Sequence, residues 1–377
     1  MPFLFRKTLV SGALLLLAAG AAGAQPTASW QPCRALTTDA AARLACFDAW
    51  AQAQAPDAGP SVPLAATPAA GRLTVATSDA AGPPATPPAP SCRSGPTSEL
   101  SRYWELENAS DCGTFSIRGY RPISLSWIGS DTVNTAPSSP TPGHTAPYRA
   151  YENSEMRIQL SVRTKIAQGL LTEGGVRGLD SLWFGYTQQS YWQLFNRELS
   201  RPFRSTDHEP ELTYIYPTDA ALPGGWRLRY SGISAVHQSN GQSLPLSRSW
   251  NRVVLMAGME HGDRFSLQAR AWARLPERNV DDDNPNISDL IGRAEVTGYW
   301  YASDRHTLGM TVRHSLRSAA RGSVRLEWLY RPLGTQPNGL ASGLRIHTQL
   351  FSGYGDSLLD YNRRRTVLSV GLSLVDF

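Results

Sequence analysis

The chain has 377 residues, with 36 Lys and Arg against 31 Asp and Glu, a formal net charge of +5. This small surplus never gathers into a basic cluster, so nucleic acid is not an expected partner, whereas anionic lipid head groups suit it. Beyond the first residues no apolar run reaches the ~20 residues a spanning helix needs, which leaves a secreted protein or an outer-membrane β-barrel.

The first residues read as an export signal. Arg6 and Lys7 precede an apolar stretch from Leu9 to Ala19 and a small-residue site, Ala22-Gly23-Ala24, so residues 1–24 are expected to be cut off before Gln25. Residues 25–58 form a small cysteine-containing segment. A helix around Thr38 to Ala51 is expected there, with Leu36, Ala41, Leu44, Cys46 and Phe47 on its apolar side. A passive leader is favoured over a periplasmic plug. Residues 59–91 are crowded with Ala, Pro, Gly, Ser and Thr, cannot bury a core, and read as a linker that leaves this region partly disordered. All four cysteines, Cys33, Cys46, Cys92 and Cys112, precede the strand-rich region. An even count in an exported chain suggests disulfides. Cys33 with Cys46 would staple the helix to its preceding loop, and Cys92 with Cys112 would tie the linker to the barrel entrance; other pairings stay open. No Cys-x-x-Cys suggests a metal.

From Gly113 onward period-two segments separated by turn residues take over, and residues 92–377 read as one all-β domain. Twelve strands are predicted: Thr114–Trp127, Glu155–Ile166, Ser181–Leu194, Glu211–Tyr216, Trp226–Gln238, Trp250–His261, Arg264–Ala273, Arg293–Ser303, His306–Leu316, Ser323–Tyr330, Gly343–Phe351 and Thr366–Phe377. An even number of antiparallel strands after an export signal fits a closed transmembrane barrel, because closure satisfies every backbone group that lipid would leave bare. Tyr120, Trp127, Trp183, Tyr191, Trp192, Trp226, Trp250, Trp272, Tyr299, Trp300, Trp328 and Tyr330 fall near strand ends, as interfacial girdles would. A soluble β-sandwich with these aromatics in its core is the competing architecture. In the last strand Leu368, Val370, Leu372 and Leu374 alternate, with Phe377 one residue out of phase.

One segment carries chemistry. His237 and Ser239 are two residues apart on a strand, hence on one face, about 6.6 Å apart along it. Asn251 returns on the next strand of the same hairpin. Serine becomes a nucleophile once a base takes its proton, and histidine suits that task. Asn251 would hold the imidazole in one tautomer, an amide standing where a carboxylate is more usual. The Gly241 N–H lies just past the nucleophile, where an oxyanion donor is needed; Asn240-Gly241 is equally a turn signal. The phase of the strand is not clean: Trp226, Leu228 and Tyr230 share one face and Ile233, Ala235, His237 and Ser239 the other, so either part of it bulges or the two faces differ in depth. Asp281-Asp282-Asp283-Asn284 lacks the glycine and terminal glutamate of an EF-hand and reads as an extracellular loop. No G-x-S-x-G elbow or phosphate-binding glycine loop occurs.

The run His237-x-Ser239-Asn240-Gly241-x-Ser243-x-Pro245-x-Ser247-Arg248-Ser249-Trp250-Asn251-Arg252 resembles the signature of the outer membrane phospholipase A family. The likeness continues through Gly185-Tyr186-Thr187-Gln188-Gln189-Ser190, Trp192-Gln193-Leu194, Pro202-Phe203-Arg204, Glu209-Pro210, Asp282-Asp283-Asn284-Pro285 and the stretch from Ser352 to Asn362. It implies a twelve-stranded antiparallel barrel in the outer membrane with its active site on the lipid-facing surface. It also implies calcium-dependent hydrolysis of the sn-1 and sn-2 acyl esters of glycerophospholipids, with Ser239 as nucleophile, His237 as base and Asn251 as orienter. Calcium is implied at a homodimer interface, held by the Ser247 hydroxyl, the Gln242 carbonyl and Ser200 from the second subunit. Position 242 is arginine elsewhere in the family, a change a backbone ligand tolerates. Gln188 matches a polar dimer contact. Asp283 matches a ligand of a second, weaker calcium site whose companion aspartate is replaced by Leu244. Two other readings compete: a non-enzymatic pore or structural barrel, and a barrel that modifies the acyl chains of lipid A.

Overall fold

The computed structural model describes residues 31–37, 39–54, 98–172, 179–278, 282–332 and 343–374. The expected signal peptide, the linker over 59–91, Cys92, Asp281 and Phe377 lie outside them. Contacts divide the chain into two compact units, 1–85 and 86–377. In the first, α1 (Gln31–Ala35) and α2 (Ala40–Gln54) are joined by the Cys33–Cys46 disulfide. Leu36 and Leu44 are exposed, so the apolar side expected of this helix is not buried against the unit's own described residues. Cys112, in the second unit, is also disulfide-bonded.

The second unit is a closed antiparallel barrel. Its wall runs through β1 (Ile117–Gly119), β2 (Ile123–Ser130), β3 (Ser154–Gln168), β4 (Ser181–Trp192), β5 (Ser205–Ala221), β6 (Trp226–Ser239), β7 (Ser249–His261), β8 (Phe265–Arg274), β9 (Ala294–Ser303), β10 (His306–His314), β11 (Gly322–Tyr330), β12 (Leu344–Gly353) and β13 (Arg365–Leu374). Successive strands pair in order, β13 pairs with β2, and β1 and β2 both lie along β3. The two short strands are one stave broken before Pro122, which cannot donate to the ladder. Twelve staves result, and among the described residues the ring closes through the β13–β2 and β2–β3 pairings. No described helix is long and apolar enough to cross a membrane.

The residue pattern is that of a barrel in lipid. Along β13 Leu368, Val370 and Leu372 point outward and are exposed, while Val367, Ser369 and Ser373 are buried on the inner side. In water such an apolar outer band would be costly, whereas in hydrocarbon it is the solvated face. The inner side is charged and paired: Arg121 reaches Glu209 (2.6 Å) and Glu211 (3.2 Å), Arg270 reaches Glu211 (3.1 Å), and Arg313 reaches Glu295 (2.6 Å).

This filled lumen corrects two sequence expectations. The fourth predicted strand extends over Ser205–Ala221 rather than Glu211–Tyr216, because Asp207 and Glu209, which look like loop residues, face inward, Asp207 accepting from Leu358 N–H at 2.7 Å and Glu209 pairing with Arg252 at 2.9 Å. The aromatics are not all girdle residues. Trp127, Trp300 and Trp328 are exposed on the outer wall, but Tyr120, Trp183, Tyr191, Trp250 and Trp272 are buried inside. Much of that inner cluster packs on a short helix the sequence did not suggest, α3 (Glu99–Trp104), capped by Ser98. Trp104 meets Trp183, Tyr230 and Tyr120 at centroid distances of 5.7, 5.8 and 6.1 Å, and Leu100 N–H donates to Glu260 at 2.8 Å. The end of the barrel that holds α3 carries the tight turns between β5 and β6, β7 and β8, and β9 and β10. The connections between β2 and β3, β6 and β7, and β8 and β9 lie at the other end.

Candidate active site on the outer wall

The chemistry-bearing hairpin is β6–β7, and its phase is set by a bulge that the register places between Leu228 and Tyr230, so Tyr230 does not share a face with Trp226 and Leu228 as the alternation suggested. Beyond it Ile233, Ala235, His237 and Ser239 face outward, and Tyr230, Ser234 and Val236 face the lumen. His237 is directly opposite Asn251, and Ser239 opposite Ser249. His237 Nδ1 and Asn251 Oδ1 are 2.8 Å apart. Ser239 is the last residue of β6, so it stands where the wall meets the long connection to β7. Among the described residues no hydrogen bond joins its hydroxyl to the imidazole.

The next turn is built by a side chain rather than by strand pairing. Asn240 is buried; its Oδ1 accepts from Arg248 N–H at 2.9 Å and its Nδ2 donates to the Leu246 carbonyl at 2.7 Å. That double anchor holds Gly241 at φ +61°, a left-handed conformation glycine adopts without strain. Among the described residues nothing accepts a hydrogen bond from Gly241 N–H, so a free backbone donor sits two residues past Ser239.

Register places Gln188, His208, Ser239 and Ser249 in one row across β4, β5, β6 and β7. Sequence reasoning singled out Gln188 and Ser239 but not His208, whose Nδ1 lies 2.7 Å from the Tyr186 hydroxyl. Gln188 donates to Ser190 Oγ at 3.2 Å.

The connection after β8 folds back over the hairpin, which spacing along the chain could not reveal. Asp283 Oδ2 accepts from Ser247 Oγ at 2.7 Å and from Ser249 Oγ at 3.2 Å, and its Oδ1 lies 2.9 Å from His144 Nε2. Asn284 Oδ1 accepts from Ser249 N–H at 3.0 Å. Farther back, Asn251 Nδ2 donates to Glu277 Oε1 at 3.1 Å. Burial raises the Glu277 carboxyl above its usual value, with Arg274 opposing.

Ser247 and Asp283, assigned from sequence to different calcium positions, are therefore neighbours. The Ser247 hydroxyl and the Asp283 carboxylate thus bring together hard oxygens of the kind calcium prefers. Among the described residues no three His, Cys, Asp or Glu side chains gather to hold a metal. A single chain thus offers a partial shell, compatible with calcium only if other oxygens complete it. Ser200 lies in the β4–β5 connection, its carbonyl accepting from Trp192 Nε1 at 2.7 Å; among the described residues no hydrogen bond joins it to Ser247.

Residues 100–374 match the family model described as phospholipase A1. A Neisseria meningitidis serogroup B relative is 36% identical over 283 residues, 74% of this chain and 70% of its own length. The phospholipase A1 of Escherichia coli K12 is 35% identical over 226 residues, 59% of this chain and 70% of the other. Among solved structures, outer membrane phospholipase A from Escherichia coli superposes with a TM-score of 0.59 at 29% identity, covering 71% of this chain and 94% of that one. The calcium-bound dimer of the Salmonella typhi outer membrane phospholipase gives the same TM-score at 28% identity, with the same coverage.

Proposed function

The chain belongs to the outer membrane phospholipase A family, and from that premise we propose that its outward β6–β7 hairpin cleaves acyl esters of membrane glycerophospholipids, at both sn-1 and sn-2, by a Ser-His-Asn mechanism. The 2.8 Å contact between His237 Nδ1 and Asn251 Oδ1 carries this reading. With Nδ1 occupied, the other ring nitrogen is the one available to Ser239. Ser239 Oγ attacks the ester carbonyl while His237 takes its proton and then returns it to the leaving alcohol. Asn251 keeps the ring in place, and Gly241 N–H donates to the oxygen that becomes negative. Water then releases the acyl group from Ser239, with His237 again as base.

Ser247, the Gln242 carbonyl and Asp283 are the residues that would hold calcium. Bound there, the ion would draw charge from the carbonyl under attack. The calcium-bound dimer of the Salmonella typhi relative supports completion of this partial shell by a second copy, with Ser200 as the second copy's ligand and Gln188 at the contact. Export with cleavage before Gln25 belongs to the same proposal.

The pore reading is weakened by the lumen: α3 and its aromatic cluster occupy one end, and paired Arg and Glu side chains line a cavity of about 220 Å³ inside the wall. The deciding experiment is hydrolysis of phosphatidylcholine by refolded protein, with and without calcium, beside Ser239→Ala. Calcium-dependent release of fatty acid that vanishes in the variant is expected. Hydrolysis surviving in Ser239→Ala would remove the nucleophile assignment, and conductance without hydrolysis would favour a pore.

A further inference from the structure

Behind Asn251 stands a carboxylate with no role so far. Glu277 lies in the connection after β8, accepts from Asn251 Nδ2 at 3.1 Å, and has its other oxygen 3.6 Å from Arg274 Nη2. Arg274 is itself held by Asp282 at 2.5 Å and by the Asn284 carbonyl at 3.2 Å. The same connection grips the backbone of Asn251, whose carbonyl accepts from Leu275 N–H at 2.8 Å. We propose that Glu277 is a positioning residue for ester hydrolysis, selecting which end of the Asn251 amide faces His237 and so which imidazole nitrogen carries the hydrogen. This rests on the reading in which His237 is the base.

An ionised carboxylate only accepts hydrogen bonds, so Asn251 must turn its NH2 to Glu277 and its carbonyl oxygen to the ring. A carbonyl oxygen also only accepts, so the nitrogen it meets, Nδ1, carries the hydrogen. The lone pair is left on Nε2, where a base for serine needs it. An amide alone enforces none of this. Turned by half a rotation it would donate to Nδ1, and the neutral ring would then hold its hydrogen on the wrong nitrogen. An aspartate in the same place has two accepting oxygens and needs no such control. A Ser-His-Asn set does, and Glu277 is placed to provide it.

The test is steady-state hydrolysis of phosphatidylcholine in mixed micelles by the full refolded chain, using Glu277→Gln and Glu277→Lys, each also combined with Asn251→Asp. Glutamine both donates and accepts, so Glu277→Gln should lower kcat roughly three- to tenfold with KM nearly unchanged. Lysine only donates and enforces the wrong amide orientation, so Glu277→Lys should lose at least about 100-fold. In the Asn251→Asp background the sign should reverse: Glu277→Gln should raise kcat, since two carboxylates no longer face each other. A mere loop anchor would give losses of the same sign in both backgrounds, and that result overturns the proposal, as would unchanged rates in Glu277→Gln. If Glu277→Lys fails to fold, the sign reversal alone decides. Hydrolysis undiminished in His237→Ala would instead undo the base reading, so the two failures are distinguishable.

Discussion

The two faces of the β6–β7 hairpin make opposite use of neighbouring residues. Outward, the His237 ring makes one hydrogen bond among the described residues, to Asn251, and stands exposed beside Ser239. Inward, Trp250 is wholly buried, donates to Gln238 at 2.8 Å, and is stacked by Arg252 at 4.0 Å, which in turn pairs with Glu209 at 2.9 Å. Residues one step apart in sequence thus divide the labour, alternation sending one set to lipid and the next to the lumen. The packed inner face holds the two strands in register, and register alone puts His237 against Asn251. Reactivity can therefore sit on an exposed, lightly bonded surface without losing its geometry.

The division predicts that outward and inward substitutions fail in different ways. Ser239→Ala and His237→Ala should each reduce turnover by at least about 10³-fold, while the unfolding midpoint in detergent stays put. A matching fall in the midpoint would mean that the outer residues also hold the wall. Trp250→Ala should do the reverse. Removing a buried tryptophan costs about 3–5 kcal/mol, so denaturant titration should show a destabilised barrel whose activity per folded molecule changes far less. Equal losses of activity per folded molecule in both classes would erase the distinction.

The outward face was the readable one. His237, Ser239 and Asn251 lie within one hairpin, so strand period and a single turn suffice to group them. Alternation says which residues share a face but not which face meets lipid, and it assigned Trp183, Trp250 and Trp272 to girdles when they fill the lumen. Pairing across the lumen is equally invisible: the acidic residues of β5 look like loop until their arginines on other strands are known. Glu277, His144 and Asp283 reach the site through connections that fold back from up to 139 residues away, as in the His144–Asp283 contact. No local pattern encodes such returns.

Calcium tests whether the outer face is complete in one chain. Ser247→Ala or Asp283→Asn should raise the calcium concentration for half-maximal hydrolysis about tenfold, one oxygen ligand being lost from a sparse set, with the unfolding midpoint unaltered. An unchanged calcium response in both variants would place the ion elsewhere. The same titration at decreasing protein density in vesicles should lose activity if a second copy supplies the remaining oxygens; activity strictly proportional to enzyme would argue for a self-sufficient monomer.

The smallest effect concerns the far side of the same rim, where the connection between β12 and β13 turns into the barrel mouth. Burial alone would raise the Asp360 carboxyl, but Arg204 at 3.0 Å and Arg365 at 2.6 Å outweigh it and hold the group at about 2, below its usual value of 3.8. A carboxyl depressed on folding contributes stability that is fully present above its unfolded value and is lost as pH falls through the folded one. Between about pH 4 and pH 2, therefore, the connection over residues 354–364 should loosen, seen as faster hydrogen exchange there than in β6–β7. Asp360→Asn should abolish that pH step by removing the titrating group. If β6–β7 loosened in parallel over the same interval, the hairpin's register would depend on the mouth as well as on its own inner face.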